Sequence, residues 1–436
     1  MAKRGALSLF HTNAYWRARW AVARSGRSAY RRVRGGLRSI APFWVRHRLS
    51  NLLAGRENAE KPLTDFAFPP AHRYDLICFP IIDWEMRFQR PQHLLTELAR
   101  HGHRVFYLHT TFHQAGRLPL IRAVSENIFR VRLPGPSSPD ALFQGDFGDD
   151  FEAACLGSLG ALQRQAQIQK AICMVQLPNW ADVAISCRRS QGWKIVYDCM
   201  DEHSGYTGSK PRNLEREARL IEESDLVIAS SRPLFDKAKR QARRAILLPN
   251  AADFDHFNAP PTARPLEGLS RPIIGYFGAI AEWFDVDMIR AAAELRRGWQ
   301  FVLIGDFSRA DVAALRRLRN VHLLGELPYR VLPAYLHQLD VACIPFRINP
   351  LTMATSPVKF YEYLCAGEPV VSVPLPELEQ YRDFFYPAQS GDELVRQIES
   401  ALCEQSHEKS LARIELAKAN TWSHRYAQLS EALESL

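Results

Sequence analysis

The chain repeats one pattern twice: short, fully apolar runs of strand length alternate with stretches of helical periodicity. The first series runs from YDLICFPII at 74–82 to RAILLPN at 244–250, and the second from RPIIGYFGAI at 271–280 to PVVSVPL at 369–375. Strands that are apolar along their whole length are buried on both faces, which is typical of a parallel sheet covered by helices. The pattern therefore predicts two α/β domains.

A segment rich in proline and glycine separates the two series. Its sequence, APPTARPLEGLSRP at 259–272, is typical of an interdomain linker. We predict doubly wound, Rossmann-like domains at 71–258 and 273–436, with the last helices packing back toward the first domain. Ligands of such sheets bind beyond the carboxyl ends of the strands, so the cleft between the two domains is the expected site.

The positive charge of the chain is concentrated at its start, where residues 1–70 form a predicted basic extension. Residues 1–60 hold Lys3 and twelve arginines against Glu57 and Glu60, a net charge of +11; since the whole chain carries +9, the remainder carries +9 − 11 = −2. Tryptophans and other apolar residues recur among the arginines at near-helical spacing. This favours an amphipathic helix on an anionic membrane surface. A flexible or partner-binding tail is the alternative, and nucleic-acid binding is disfavoured because the body offers no basic face.

Several classes of protein are disfavoured by composition. The eight cysteines are scattered without a CxxC pair, which predicts buried free thiols in a reducing compartment. No apolar run approaches the roughly 18 residues of a membrane span, and no signal peptide is visible. No His, Asp, Glu or Cys cluster has metal-ligand spacing. We therefore predict a cytoplasmic protein, without a bound metal, that is peripheral on the inner face of the cell membrane.

One short stretch places its charges against the usual order. SPVKFYEYLCAGEPVVSVPLPE at 356–377 predicts a helix with Ser356 as N-cap and Pro357 as first residue, followed by a buried strand. Lys359 stands in the first turn, where the helix dipole disfavours a cation, and Glu362 follows one turn later. A lysine beside free helix amides suits a phosphate, and a carboxylate suits a ribose diol. A surface Lys–Glu pair is the alternative.

The same stretch resembles the nucleotide-sugar signature of retaining glycosyltransferases of family four, which have the GT-B fold. The family has a glutamate, a seven-residue gap, and a second glutamate in E-A-x-A-x-G-x-P-V. The segment from Glu362 through Gly367 to Val370 matches the second part, while Ala354 stands where the first glutamate is expected. This variant resembles a subset that includes teichuronic-acid-type glycosyltransferases.

Four other segments resemble this subset, in the same order along the chain: RFQRPQHLL (87–95), DCMDEHSGY (198–206), PNAADFDHF (249–257) and GYFGAIAEWFD (275–285). The resemblance covers about residues 74 to 430. It implies two domains that face each other across a cleft in a GT-B fold. It also implies transfer of a sugar from a nucleotide diphosphate sugar to an acceptor hydroxyl, with retention of configuration and without a bound cofactor.

The resemblance also assigns a donor site to the C-terminal domain. Glu362 is expected to bind the ribose of the donor. The family often has an arginine after the glycine that corresponds to Gly278, but Ala279 follows here, so Lys359 is expected to carry more of the contact with the diphosphate. The developing charge of that leaving group must be stabilised. The complete donor set is Gly278, Glu282, Arg347, Ser356, Pro357, Val358, Lys359 and Glu362. For Glu282, capping of the next helix is the alternative.

The acceptor is expected on the N-terminal domain. DCMDEHSGY places four titratable groups in six positions after an apolar strand, a density that favours perturbed pKa values and function. We predict Asp201, His203 and Lys359 as catalytic, with the first two contacting the transferred sugar or the acceptor. The predicted substrate-binding residues are Trp84, Arg87, Arg90, Asp198 and Glu202. The alternatives are a Trp84 packed on a neighbour, a solvated helix start at the arginines, and an ordinary capped loop.

These observations predict an enzyme of envelope or extracellular polysaccharide or glycolipid synthesis. Its partners would be a nucleotide-sugar donor, a saccharide or lipid-linked acceptor, and a membrane surface contacted through residues 1–60. Two alternatives stay open. One is a catalytically silent GT-B scaffold at the membrane, which would suit the missing glutamate. The other is a nucleotide-sugar epimerase, which would convert its substrate without an acceptor.

Overall fold

The computed structural model describes residues 60–436, except residues 139, 146, 148, 149 and 405. The predicted membrane-binding segment up to residue 59 therefore lies outside the described residues. Lys61–Pro62 pair with the fourth strand of the first sheet, so the N-terminal domain begins about ten residues before the predicted boundary at 71.

The N-terminal domain is built on a nine-stranded sheet in the order β1-β4-β5-β3-β2-β6-β7-β8-β9. Its strands are β1 (Lys61–Pro62), β2 (Asp75–Phe79), β3 (Val105–Leu108), β4 (Leu120–Ser125), β5 (Ile128–Arg132), β6 (Ala171–Val175), β7 (Lys194–Cys199), β8 (Leu226–Ala229) and β9 (Ala245–Leu247). From β5 to β9 all pairings are parallel, whereas β4 pairs antiparallel with both β1 and β5. Helices lie between these strands: α1 (Arg90–Arg100), α2 (Ala141–Gln144), α3 (Asp150–Gln165), α4 (Ala181–Gln191), α5 (Pro211–Glu223) and α6 (Arg232–Ala238).

The C-terminal domain has a six-stranded, all-parallel sheet in the order β12-β11-β10-β13-β14-β15. Its strands are β10 (Ile273–Phe277), β11 (Gln300–Ile304), β12 (Val321–Gly325), β13 (Val341–Ile344), β14 (Val370–Ser372) and β15 (Tyr386–Pro387). The short α7 (Phe254–Asn258) precedes the domain. Its further helices are α8 (Val286–Leu295), α9 (Leu332–Leu336), α10 (Pro350–Met353), α11 (Val358–Leu364), α12 (Gly391–Leu402), α13 (His407–Ala419) and α14 (Trp422–Glu434).

Burial explains why the apolar runs become central strands. Every residue of β2 is buried, including Asp75 at its start. The Asp75 carboxylate accepts two hydrogen bonds from Arg104, at 2.8 and 2.7 Å, so both charges are satisfied inside the sheet. Such a bidentate pair offsets the cost of removing two charges from water.

The chain returns to the N-terminal domain at its end. Helix α14 packs on α1, and its buried Trp422 and Tyr426 belong to the same apolar core as Leu94 and Leu98. The His93 ring stacks on Trp422, with centroids 4.8 Å apart and planes 7° apart. Helix α14, at the end of the chain, therefore packs on α1 of the N-terminal domain.

The predicted architecture of two parallel-sheet domains is observed, but the β4–β5 hairpin and β1 were missed. The burial of β4 alternates, as in a strand at the edge of a sheet, and this gave no continuous apolar run to detect. All eight cysteines are free, and seven are buried, whereas Cys403 is exposed. No helix of the described residues is long and apolar enough to cross a membrane.

Candidate active site

Two glycines bring the ends of β10 and β11 together in the C-terminal domain. Gly278 and Gly305 have φ angles of 153° and 156°, which L-residues rarely adopt. A Cβ atom on Gly305 would lie 1.7 Å from the carbonyl oxygen of Gly278, so only glycine fits there. The turn after β10 is thereby held at the carboxyl edge of the sheet, as predicted for Gly278.

Lys359 lies beside this turn. Its Nζ donates to Oε2 of Glu362 at 2.7 Å and lies 4.8 Å from the centroid of the Phe277 ring. Its Cε would be 3.5 Å from a Cβ atom on Gly278. The structure therefore brings three of the predicted donor residues, Gly278, Lys359 and Glu362, into one place.

The electrostatics of this pair depend on burial. The Glu362 side chain is 2% exposed, against 23% for Lys359. Burial raises the pKa of Glu362, and the adjacent Lys359 ammonium opposes this shift. The ammonium has three N–H donors, so it can bind a second anion while it stays bonded to Glu362.

Four residues around Glu362 were not predicted: His93, Asp253, His256 and Tyr329. The Tyr329 hydroxyl donates to Oδ2 of Asp253 at 3.3 Å and lies 3.4 Å from Nε2 of His93. The His256 ring stacks on Tyr329, with centroids 4.4 Å apart. Negative charge from Glu362 and Asp253 adds to burial in raising the pKa of Tyr329. Asp253 and His256 belong to PNAADFDHF at 249–257. This segment resembles the glycosyltransferase subset in sequence, but the resemblance assigned no role to these two side chains.

The start of α11 differs from the prediction. The helix begins at Val358, and Pro357 occupies the N-cap position, where it offers no side-chain hydrogen bond. The Ser356 hydroxyl is buried and accepts instead from the backbone N–H of Asn250 at 3.2 Å. The predicted N-cap role of Ser356 is therefore wrong, and its hydroxyl is already occupied by the N-terminal domain.

The other two predicted donor residues lie on the loops after β10 and β13. The Arg347 side chain is 50% exposed, and its closest carboxylate is Asp287 of α8, at 4.0 Å. Oε1 of Glu282 is buried and has no hydrogen-bond partner in the described residues. Asp285, and not Glu282, caps α8 by accepting from the Met288 N–H at 3.0 Å. The alternative for Glu282, capping of the next helix, is therefore not observed.

The loop after β7 carries the predicted catalytic pair. Oδ2 of Asp201 accepts from the Tyr206 hydroxyl at 3.0 Å. Burial raises the pKa of Asp201, whereas the charge of His203 lowers it. Burial lowers the pKa of His203, and Asp201 opposes that shift. Negative charge from Asp201 and Glu282 acts on the Tyr206 hydroxyl and, with burial, raises its pKa. This arrangement brings acidic groups of both domains to one hydroxyl.

Three predicted substrate contacts are occupied by other side chains. Arg90 and Asp198 form a buried pair, with Nε and Oδ1 2.9 Å apart, and are 3% and 0% exposed. Glu202 binds Lys237 of α6 at 3.0 and 3.1 Å. The burial of Arg90 and Asp198 disfavours their direct contact with a substrate, whereas for Glu202, whose side chain is 18% exposed, this contact stays a prediction. The sequence did not show the side chains that these three residues bind.

Trp84 and Arg87 lie on the loop after β2. The Trp84 ring is half-buried and meets the Tyr107 ring edge-on, with centroids 5.1 Å apart, as the packing alternative required. Arg87 reaches the C-terminal domain, where its Nε donates to Oε1 of Glu326 at 2.7 Å. A second carboxylate, Asp306, lies 3.9 Å away. This loop therefore connects the two domains at the cleft.

Part of the C-terminal domain matches a known family model. Residues 271–404 match the family model described as glycosyl transferases group 1. The putative teichuronic acid biosynthesis glycosyltransferase TuaH of Bacillus subtilis is 26% identical over 261 residues, which cover 54% of this chain and 66% of TuaH. The family model thus covers less than a third of the chain. The findings support the predicted enzyme class, a glycosyltransferase.

Solved structures resemble the chain over most of its length. Sucrose-phosphate synthase from Thermosynechococcus elongatus has a TM-score of 0.65 at 16% identity and covers 83% of this chain, with 99% of the synthase covered. HepE of Anabaena in complex with UDP-glucose has a TM-score of 0.64 at 14% identity, with 84% of this chain and all of HepE covered. At these identities the likeness concerns the fold, and it confirms the predicted GT-B architecture. No group of three or more potential metal ligands occurs among the described residues.

Proposed function

We propose that this protein transfers a sugar from a nucleoside diphosphate sugar to an acceptor hydroxyl. The configuration at the sugar is retained, no bound metal takes part, and the acceptor is a saccharide or a lipid-linked saccharide of an envelope or extracellular polysaccharide. The work takes place on the inner face of the cell membrane. Two relatives support this assignment by their names: TuaH is described as a teichuronic acid biosynthesis glycosyltransferase, and HepE was solved with UDP-glucose.

The observation that carries the proposal is the position of Lys359. Its ammonium lies at the glycine turn after β10, within the matched glycosyltransferase domain, and is fixed by Glu362 and the Phe277 ring. Departure of a nucleoside diphosphate develops negative charge on the phosphate oxygens. A preorganised cation in a partly buried position stabilises that charge more than the same cation in water does.

The remaining donor contacts are part of the same proposal. The backbone at Gly278 and the start of α11 at Ser356, Pro357 and Val358 lie toward the phosphates. Glu362 accepts from the ribose hydroxyls. Glu282 offers its unpartnered Oε1 to a hydroxyl of the transferred sugar. Arg347 has the exposure to reach a phosphate when a donor is bound.

The acceptor side of the proposal rests on the loop after β7. Asp201 and His203 contact the transferred sugar or the attacking acceptor from the N-terminal domain. Because burial raises the pKa of Asp201, its neutral form persists closer to pH 7 than that of an ordinary aspartate, whereas the lowered pKa of His203 keeps this imidazole neutral further below pH 7. From the loop after β2, Trp84 can contact a sugar, and Arg87 can exchange Glu326 for an anionic group of the substrate.

Donor binding by Lys359→Ala tests the proposal. Calorimetry with UDP, GDP and dTDP and their sugars should show binding to one nucleotide series by the wild type. We expect the variant to bind that series at least about tenfold more weakly, because one charged contact with phosphate is lost.

Lys409→Ala is the matched control. Lys409 also pairs with a glutamate, Glu404 at 3.3 Å, and lies 5.9 Å from an aromatic ring, but it belongs to the outer helix α13. Its loss should leave nucleotide affinity unchanged. If the folded wild type binds no nucleotide series, the silent scaffold becomes the better assignment. Conversion of a nucleotide sugar without an acceptor would instead identify an epimerase.

A further inference from the structure

Asn250 lies where the chain leaves the N-terminal sheet, and it uses every polar group of its backbone and side chain. Its Nδ2 donates to the carbonyl oxygen of Ser356 at 2.6 Å, and its backbone N–H donates to the Ser356 hydroxyl at 3.2 Å. Its Oδ1 accepts from Nη1 of Arg90 at 3.2 Å. Its carbonyl oxygen accepts from Arg425 of α14, with the closer of two guanidinium nitrogens at 3.3 Å. Asn250 is itself buried.

On the N-terminal side, Arg90 extends this network to the predicted catalytic loop. Its guanidinium binds Oδ1 of Asp198 and the carbonyl oxygen of Leu248, at 2.9 and 2.8 Å. Asp198 lies in β7, three residues before Asp201. The charges of both Asp198 and Arg90 act on the Asp201 carboxylate. Arg90 therefore holds the end of β7 and the segment 248–250 at a fixed separation.

On the C-terminal side, Ser356 immediately precedes the segment that starts α11. This helix carries Lys359 on its second residue and Glu362 one turn later. Ala354, two residues before Ser356, is held as well: its carbonyl oxygen accepts from the Ser231 hydroxyl at 2.6 Å. The helix that bears the proposed donor contacts is thus bonded to the N-terminal domain just before it begins.

We propose that Asn250, supported by Arg90, is a positioning residue that sets the donor helix against the catalytic loop. The proposal rests on the proposed function, since it concerns the same donor site. Neither residue touches the substrate. Asn250 acts through Ser356 on Lys359 and Glu362, and Arg90 acts through Asp198 on the loop that carries Asp201 and His203.

An amide is the side chain that this position requires. It donates to a carbonyl oxygen of one domain while it accepts from a guanidinium of the other. An aspartate has the same shape as asparagine and keeps the contact with Arg90. It cannot donate to the Ser356 carbonyl, so a carboxylate oxygen would face that carbonyl oxygen at hydrogen-bond distance without a hydrogen between them. Asn250→Asp therefore breaks the side-chain link to the segment before the donor helix, and it leaves the backbone link to the Ser356 hydroxyl and the link to Arg90.

Nucleotide affinity of Asn250→Asp is the test, with Asn320→Asp as the matched control. Asn320 is equally buried and donates through Nδ2 to three carbonyl oxygens, but all three belong to the C-terminal domain, at 3.0, 3.3 and 3.1 Å. Both substitutions set a carboxylate against carbonyl oxygens, so both should lower the melting temperature. We expect only Asn250→Asp to weaken binding of the preferred nucleoside diphosphate, by about tenfold, and to raise the donor KM more than it lowers kcat.

Ser356→Ala provides a milder variant in case Asn250→Asp does not fold. It removes the hydroxyl that accepts from the Asn250 N–H but keeps the carbonyl contact, so we expect a smaller loss, about threefold. Wild-type affinity in folded Asn250→Asp, or an equal loss in Asn320→Asp, would overturn the positioning role and leave the proposed function intact. Failure of the wild type to bind any nucleoside diphosphate would overturn both.

Discussion

The lysine in the first turn of α11 is unfavourable for the helix and is retained by its surroundings. A cation at a helix N-terminus costs about 0.3–1 kcal/mol at an exposed position. Here Glu362 and the face of the Phe277 ring both attract the ammonium of Lys359, at 2.7 and 4.8 Å. A cation over an aromatic face gains about 0.5–2 kcal/mol. These contacts offset the dipole penalty and fix the ammonium where a ligand phosphate can reach it.

His93 provides a prediction for stability. Burial and the nearby Lys359 lower the pKa of His93 to about 3. Below pH 6.5 His93 therefore becomes protonated in the unfolded chain, whereas in the folded protein it stays neutral down to about pH 3. The stability contributed by neutral His93 is present above pH 6.5 and is lost as the pH falls toward 3. We expect His93→Phe, which keeps a ring against Trp422, to remove this loss, worth roughly 2 kcal/mol at pH 5.

Urea unfolding of the wild type and of His93→Phe between pH 4 and 8 measures this effect. The variant should lose less stability than the wild type on going from pH 7 to pH 5, whatever its stability at pH 7. His407→Phe, at the exposed start of α13, serves as the control and should follow the wild-type slope. Parallel curves for wild type and His93→Phe would show that folding does not lower the pKa of His93.

Residue roles were predictable from sequence where the partner lies nearby along the chain. Lys359 and Glu362 are three residues apart on one helix face, so the sequence alone offered their pairing as the alternative to a donor site. Arg90 and Asp198 are 108 residues apart, and only the folded structure shows that Nε of Arg90 donates to Oδ1 of Asp198. A single sequence does not reveal such long-range pairs, so two buried structural charges were predicted as substrate contacts.

Among the elements, the loop after β2 contacts both domains through three charged side chains, Asp83, Glu85 and Arg87, which stand at alternate positions of the loop. Asp83 accepts from the N–H and hydroxyl of Thr110, and Glu85 pairs with Arg130 at 2.8 Å, both within the N-terminal domain. Arg87 points to the C-terminal domain and pairs with Glu326. The sequence indicated a polar loop at the cleft, but it did not indicate which charges face which domain.

Arg87 can serve to bind the substrate or to hold the two domains together through Glu326, and substitution of each partner distinguishes these two roles. Both side chains are partly exposed, at 27% and 22%, so the pair adds less than about 1 kcal/mol to stability. We expect Arg87→Gln to lower kcat/KM about tenfold, because the anionic substrate loses a partner. Glu326→Gln should preserve or increase kcat/KM, because it removes a competing carboxylate.

Steady-state kinetics of both variants at two ionic strengths provide the measurement, with Arg290→Gln as a control. Arg290 pairs with Asp287 on the exposed face of α8, at 3.1 Å. Equal losses in Arg87→Gln and Glu326→Gln would mean that the pair itself is needed as a contact between the domains. The effect of Arg87→Gln should shrink at high salt, since an exposed charge is screened there.

Over the whole molecule, the net positive charge is confined to the first 60 residues of the chain. The body from residue 61 onward carries −2 in total, whereas residues 1–60 carry +11. A neutral body gains little from an anionic surface, so any attraction to anionic lipids must come from the extension. A lipid-linked acceptor would make such attraction useful, because it confines the enzyme to the surface that presents the substrate.

Removal of residues 1–59 tests this arrangement. We expect the full chain to sediment with anionic phospholipid vesicles and the shortened chain to stay in the supernatant, since each basic residue near such a surface adds about 1 kcal/mol. Replacing Arg17, Arg19, Arg24 and Arg27 by glutamine should weaken binding at least about tenfold while keeping the tryptophans. Vesicles of neutral lipid are the control, and binding should fall as salt rises. Equal sedimentation of both chains would place the membrane contact on the body, and no sedimentation of the full chain would favour a partner-binding tail.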